Sequence, residues 1–158
     1  MVKRTSLAGN SCPIARALDV IGDWWSLLII RDALIGRRRF GDFQKSLGLA
    51  KSILSSRLRM LVDEGILATV PASDGSAYQD YVLTEKGRGL FPVLVALRQW
   101  SEAFDAHPED IATILVDRAT GSPVQKLELR AQNGRLLGVG DTELKPRPAT
   151  KGRRRTAV

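Results

Sequence analysis

The 158-residue sequence holds one cysteine, Cys12, and one histidine, His107. A single thiol excludes an internal disulfide framework, and one cysteine with one histidine is too small a set for a zinc site. No apolar run reaches the roughly 20 residues that a membrane-spanning helix needs. The richest stretch, Trp24 to Ile35, is short and broken by Arg31 and Asp32. The first ten residues are basic, but they have neither the apolar centre nor the small-residue cleavage site of a secretory signal. Catalytic patterns are missing too. There is no Ser/His/Asp set, no paired-carboxylate motif and no phosphate-binding glycine loop, and Cys12 has only His107 as a histidine base. The expectation is a cytoplasmic protein that needs no metal, cofactor or membrane and is not an enzyme.

What is present is ordinary globular material: 44% of residues are hydrophobic, in a chain long enough for one domain with a small appendage. The formal net charge of +7 suggests a polyanionic partner. Yet Lys145, Arg147, Lys151, Arg153, Arg154 and Arg155 lie in a final stretch without acids, which leaves only about +1 for everything before it. Local charge placement has to decide whether the folded part meets nucleic acid.

Ser11-Cys12-Pro13 predicts a helix start, with a capping side chain and then a proline where no backbone donor is needed. That helix runs to about Ile21. Gly22 stops it, and Asp23 caps a second helix, in which Trp24, Leu27, Leu28, Ala33 and Leu34 recur at helical spacing up to Gly36. Arg37, Arg38 and Arg39 fill the connection to a third helix, from about Phe40 to Leu47. A fourth, from about Lys51 to Glu64, carries the stripe Leu54, Leu58 and Leu61, and the tight joint between the two reads as helix-turn-helix. The period then changes. Ile66 to Val70 and Tyr78 to Leu83 flank a polar tip at 72–77 and predict a β-hairpin, the wing.

Thr84-Glu85-Lys86-Gly87 opens a long helix to about Phe104, striped by Leu90, Leu94, Leu97 and Trp100. Farther on, Ile114 to Val116, Val124 to Leu129 and Leu136 to Val139 predict short strands, the last two joined by a turn at Asn133-Gly134. From Lys145 the proline, glycine and arginine content leaves nothing to bury and predicts disorder. The expected class is α+β: a flexible N-terminus (1–10), a winged helix-turn-helix domain with a long C-terminal dimerisation helix (11–104), a small β-rich appendage (105–144) and a disordered basic tail (145–158).

The residues at the joints of this plan resemble those of the HxlR-type regulators. The matching stretches are Cys12-Pro13 through Leu18, Gly22-Asp23-Trp24-Trp25 with Leu28 and Arg31-Asp32, Arg38-Arg39-Phe40, Leu54 to Arg59, Glu64-Gly65, and Tyr81 to Gly87. Each is weak alone; their order and spacing over residues 11 to 104 make the match specific. The resemblance implies a dimeric transcription factor, usually a repressor and sometimes an activator. Two positions depart from the pattern. Ala50 stands where a hydroxyl-bearing cap would open the fourth helix, and the wing tip carries Asp74 where wings of this type often present a basic residue, so weak wing contact is expected.

On a 3.6-residue wheel, the face of the fourth helix opposite its leucines holds Ser52, Ser56, Arg59 and Asp63, with Ser55 at the side. Small hydroxyls and an arginine suit a helix pushed into the major groove of double-stranded DNA, where arginine pairs bidentately with guanine. Arg59 is the base-reading candidate, and Lys51 with Arg37, Arg38 and Arg39 are the phosphate-positioning candidates, though at least one arginine has acids with which to pair instead. The competing readings are a soluble helix face on a protein-interaction module that has lost DNA binding, and a solvated turn for the triplet.

The stripe Leu90, Leu94, Leu97 and Trp100, with Leu18 on the first helix, is the candidate homodimer interface; packing within one chain is the alternative. Two-fold symmetry would then match a pseudo-palindromic operator. Cys12 stands at a helix N-terminus four residues before Arg16, a setting that favours thiolate. It is either a small residue beside the interface or a sensor of an electrophile or oxidant. Members of the family that resemble this chain sense quinones, aldehydes or disulfide stress at this position. With one cysteine per chain, a sensor here would act through an intersubunit disulfide, a mixed disulfide or alkylation.

Overall fold

The computed structural model describes residues 6–105, 107, 109 and 111–147, and the chain divides into two compact units at Ile111 and Ala112. In the first unit the element order is α1 (Pro13–Ile21), α2 (Trp24–Leu34), α3 (Phe40–Leu47), α4 (Lys51–Asp63), β1 (Leu67–Pro71), β2 (Gln79–Leu83), α5 (Glu85–Arg88) and α6 (Phe91–Phe104). None of the described helices is long and apolar enough to cross a membrane.

Local chemistry sets the boundaries. Pro13 opens α1 at a position whose N–H has no intrahelical partner. Asp23 caps α2, its carboxylate accepting from Trp25 N at 3.0 Å and from the hydroxyl of buried Ser26. Gly48, at a φ of 65°, ends α3 in the left-handed region that only glycine enters cheaply. The described part of the N-terminal stretch, 6–10, makes two hydrogen bonds to α1. Asp19 accepts from Leu7 N at 3.0 Å and from Ser6 Oγ at 2.9 Å.

One core holds the unit together. Ile29 and Ile30 of α2, Phe43 of α3, Leu54, Leu58 and Leu61 of α4, and Ile66 and Leu67 at the start of the hairpin are all buried. Each such side chain contributes roughly 1.5–3 kcal/mol relative to exposure. β1 and β2 pair antiparallel with Leu67 opposite Leu83 and Pro71 opposite Gln79. The outer side of β2 is partly satisfied as well, because Tyr81 N donates to Arg38 O at 2.8 Å and so ties the hairpin to the segment that enters α3.

Two sequence-based expectations change. The long helix over 84–104 is broken: α5 ends at Arg88 and α6 begins at Phe91. Pro92 has no N–H to return to the Arg88 carbonyl, and Gly89 beside it is a poor helix former, so the ladder is interrupted there. The second unit has no named strand among its described residues. It has two isolated antiparallel bridges, Val116 with Pro123 and Arg130 with Leu136, and a 3-10 turn at Val139–Asp141. The expected turn at Asn133-Gly134 does lie between the paired residues of the second bridge, with Gly134 at a φ of 84°. The tail beyond Arg147 lies outside the described residues.

Candidate nucleic-acid interface

α4 presents one apolar face inward and one polar face to solvent. With Leu54, Leu58 and Leu61 buried, Lys51, Ser52, Ser55, Ser56 and Arg59 are all exposed. The side chains of Arg59 and Lys51 have no ion pair or hydrogen bond with any described residue. Ala50 provides no side-chain cap, so the first backbone N–H groups of α4 are not satisfied by a capping side chain. Positive partial charge, Lys51 and small hydroxyls therefore meet at one end of one helix, the arrangement that attracts a phosphate.

Besides its buried leucines, α4 is tied to α2 by a residue to which the sequence pattern assigns no role. Arg57 turns back from α4 so that its Nε lies 3.5 Å from Oδ1 of Asp23, the cap of α2. One carboxylate thus caps a helix and holds the neighbouring one. The only hint in sequence is an arginine two residues before Arg59, on the side of the helix nearer the leucines.

The arginine triplet splits into three different roles. Arg37 and Arg31 converge on Asp32, which is fully buried; Arg31 Nη2 lies 2.8 Å and Arg37 Nη1 3.3 Å from its Oδ1. Oδ2 of Asp32 is buried without a hydrogen-bond partner among the described residues. Arg39 reaches the wing. Its Nη2 lies 2.8 Å from Oδ2 of Asp74, its Nη1 donates to Ser76 Oγ at 3.3 Å, and its Nε stands 2.6 Å from Oδ1 of buried Asp80 as an ion pair. Only Arg38 leaves its side chain exposed and unpaired among the described residues; its carbonyl serves β2.

The electrostatics follow from this clamp. Hydrogen bonds from Ser76, and then the Arg39 guanidinium, hold the Asp74 carboxyl well below the usual carboxylate range. The same pairing raises Arg39 above its ordinary value. The acidic wing tip is therefore neutralised by an arginine at the start of α3. Tyr78 remains exposed beside it.

The candidate interface residues on the helices divide in the same way. Leu90 and Leu94 are partly buried and pack against the core, whereas Leu97 and Trp100 are exposed, Trp100 at 58%, and Phe104 at 76% stacks obliquely on Trp100 with ring centroids 6.2 Å apart. On α1, Ile14 and Leu18 are exposed, and Trp24 at the start of α2 is exposed as well, edge-on to Trp25. Trp25 instead packs against the core. Cys12 is exposed at the N-cap of α1, and its N–H donates to Asn10 Oδ1 at 2.9 Å.

Comparison with known proteins places this geometry. The family model for the HxlR-like helix-turn-helix matches residues 20–109. The uncharacterized HTH-type transcriptional regulator Rv3095 of Mycobacterium tuberculosis is 46% identical over 96 residues, which is 61% of this chain and 61% of that relative, so the chain spans about three fifths of the curated relative it matches. Among solved structures, PA1607 is 55% identical with a TM-score of 0.85, covering 89% of this chain and 99% of that one. PA1374 from Pseudomonas aeruginosa is 38% identical with a TM-score of 0.62, covering 88% and 94%. The redox regulator HypR in its oxidised form is 29% identical with a TM-score of 0.55, covering 61% of this chain and 100% of HypR. With a winged helix-turn-helix built from its own residues and a family match over more than half its length, the chain belongs to the HxlR-like helix-turn-helix family of transcriptional regulators.

Proposed function

We propose that this chain is a sequence-specific DNA-binding regulator of transcription, most simply a repressor, that acts as a homodimer on a pseudo-palindromic operator. The observation that carries the reading is the outer face of α4, where Ser52, Ser55, Ser56 and Arg59 are exposed and Arg59 has no internal partner among the described residues. In this reading Arg59 reads a base edge in the major groove, the three serines bond to bases or phosphates, and Lys51 and Arg38 fix register on the backbone. Arg37 and Arg39 act one step back, by holding the α2–α3 connection and the wing. The family and its curated relatives support a regulator rather than an enzyme.

Dimerisation uses Leu18, Leu97 and Trp100 at the surface, with Leu90 and Leu94 seating α6 on the core beneath them. Two recognition helices would then meet half-sites about one helical turn, or roughly 34 Å, apart. The exposed Cys12 is the point of signal input in this reading, to an oxidant or electrophile; a neighbour in fold, HypR, is a redox regulator. Oxidation of two such thiols forms one intersubunit disulfide, two electrons and two protons passing to the oxidant.

Selection of genomic fragments by the purified full chain, followed by titration of the best fragment, tests the proposal. A palindromic site is expected, with Arg59→Ala weakening it by about 1–3 kcal/mol and relaxing discrimination at one position. Equal loss on every sequence would remove Arg59 from base reading, and no enrichment at low salt would remove DNA as the partner. Release of the fragment on diamide treatment, lost in Cys12→Ser, tests the thiol.

A further inference from the structure

We infer that Asp74, at the tip of the wing, masks Arg39 from the DNA backbone and so holds down the sequence-independent part of this chain's affinity for DNA; this role rests on the DNA-binding reading proposed above. Two acids hold Arg39, in two different settings. Its Nε lies 2.6 Å from Oδ1 of Asp80 on β2, whose side chain is only 3% exposed. Its Nη2 lies 2.8 Å from Oδ2 of Asp74, which is 60% exposed, and Nη1 donates to Ser76 Oγ at 3.3 Å.

The two pairs differ in what they do for the fold. A buried carboxylate left without its cation is strongly destabilising, so Asp80 needs Arg39 where it is. A solvent-exposed pair adds little. Asp80 therefore suffices to seat the guanidinium, and Asp74 places a second negative charge on its solvent side. Arg39 is still 28% exposed with Asp74 in place, so it is not sealed into the core.

The tip turn aims the carboxylate without requiring its charge. Asp74 Oδ1 accepts from Ser76 N at 3.0 Å, Gly75 between them has a φ of 74°, and Gly75 N donates to Ala72 O at 3.2 Å. Asparagine makes the same turn. Asp74 is the one charged residue in the sequence of the tip, 72–77, and its charge is spent on Arg39. That arginine is the N-cap of α3, the first helix of the helix-turn-helix, which in this motif crosses the phosphate backbone. Arg38 beside it is exposed and unpaired among the described residues. Without the Asp74 charge, two adjacent guanidinium groups would face solvent there, and guanidinium pairs bidentately with phosphate.

The test uses the full chain and a short duplex of random sequence, so it needs no operator. Asp74→Asn keeps the tip turn and should unfold in urea with the wing intact. At about 50 mM salt its Kd for the duplex should fall roughly threefold or more, and its log affinity should decline with log salt about 0.9 more steeply than that of the wild type, the mark of one further phosphate contact. The Arg39 Nε resonance should shift on adding duplex to Asp74→Asn and stay in place in the wild type. In a background of Arg39→Gln with Asp80→Asn, which removes both members of the inner pair, Asp74→Asn should change Kd and slope far less. Equal gains in the two backgrounds, or an Arg39 resonance unmoved in Asp74→Asn, would reduce the effect to general repulsion and overturn the mask. A weaker grip in Asp74→Asn, or a wing lost in both Asp74→Asn and Asp74→Ser, would make the contact a structural brace and overturn it too. Binding by the wild type with no change in Asp74→Asn strikes the mask alone, whereas a wild type that binds no duplex even at low salt takes the DNA reading down with it.

Discussion

Arg39 stands at the N-cap of α3 and holds three wing groups, Asp74, Ser76 and Asp80, so a side chain that reads in sequence as a phosphate contact is also ion-paired within the chain. Three adjacent arginines look alike until the acids arrive, and the acids that claim Arg39 lie far along the chain, on the other side of the helix-turn-helix. The clamp has a pH signature. The folded pKa of Asp74 is depressed, so its contribution is fully present above the unfolded value near 3.9 and is lost as pH falls through the folded value. The wild type should therefore lose more stability than Asp74→Asn between about pH 4 and pH 2. Thermal melts across that window check this, and parallel curves for the two proteins would contradict it. Asp80 could be found in the sequence only as a charge inside an otherwise apolar strand pattern, a signal that does not say which cation meets it.

At the scale of elements, the joints carry the order. Thr84 caps α5 by accepting from Gly87 N at 3.1 Å and donates to Gly65 O at 2.6 Å, while Lys86 donates to Glu64 O at 2.6 Å, so one turn closes both the end of α4 and the start of α5. Gly87 is buried there for want of space. A Cβ would lie 2.2 Å from the Ile66 carbonyl oxygen and 2.8 Å from a Leu83 methyl carbon. Gly87→Ala should cost about 1–3 kcal/mol of stability, measured by urea unfolding, and an unchanged midpoint would contradict the packing. Asp23→Ala should cost about 1 kcal/mol through the lost cap of α2. It should also weaken operator binding by freeing Arg57, whereas a cap that acted on stability alone would leave affinity unmoved. The Asp23 cap, the leucine stripe and the hairpin were legible because period and turn chemistry are local, whereas the capping side chain expected at Ser11-Cys12 makes no cap hydrogen bond to α1. The break between α5 and α6 was legible at Pro92, and the continuous apolar stripe obscured it.

For the whole molecule, charge and apolar surface separate by region. Arg38, at the entry to α3, and Lys51, at the start of α4, are exposed cations with no ion pair among the described residues, and removing both should lower the slope of log affinity against log salt by about 2 without changing site preference. A slope unchanged by Arg38→Ala with Lys51→Ala would take both off the DNA backbone. Removing residues 145–158, the basic final stretch, should weaken all DNA alike. On α6, Trp100→Asp should shift sedimentation towards monomer and lower operator affinity with it, since half-sites bound singly lose the second contact. Full operator affinity in a monomeric variant would break the link between dimer and site.

The sequence alone determined the order of elements as far as the wing, the helix-turn-helix and the outward face of α4, because each follows from spacing within a few residues. It also carried enough joint residues to point to the family. Which of the three arginines stays unpaired, which carboxylate meets Arg57, and which leucines of the α6 stripe face the core were decided only by tertiary structure. Those outcomes depend on side chains brought together across long stretches of chain. The second unit marks the same boundary: its alternating aliphatic residues promised strands, but strands need partners along their whole length, and its described residues form only two isolated bridges.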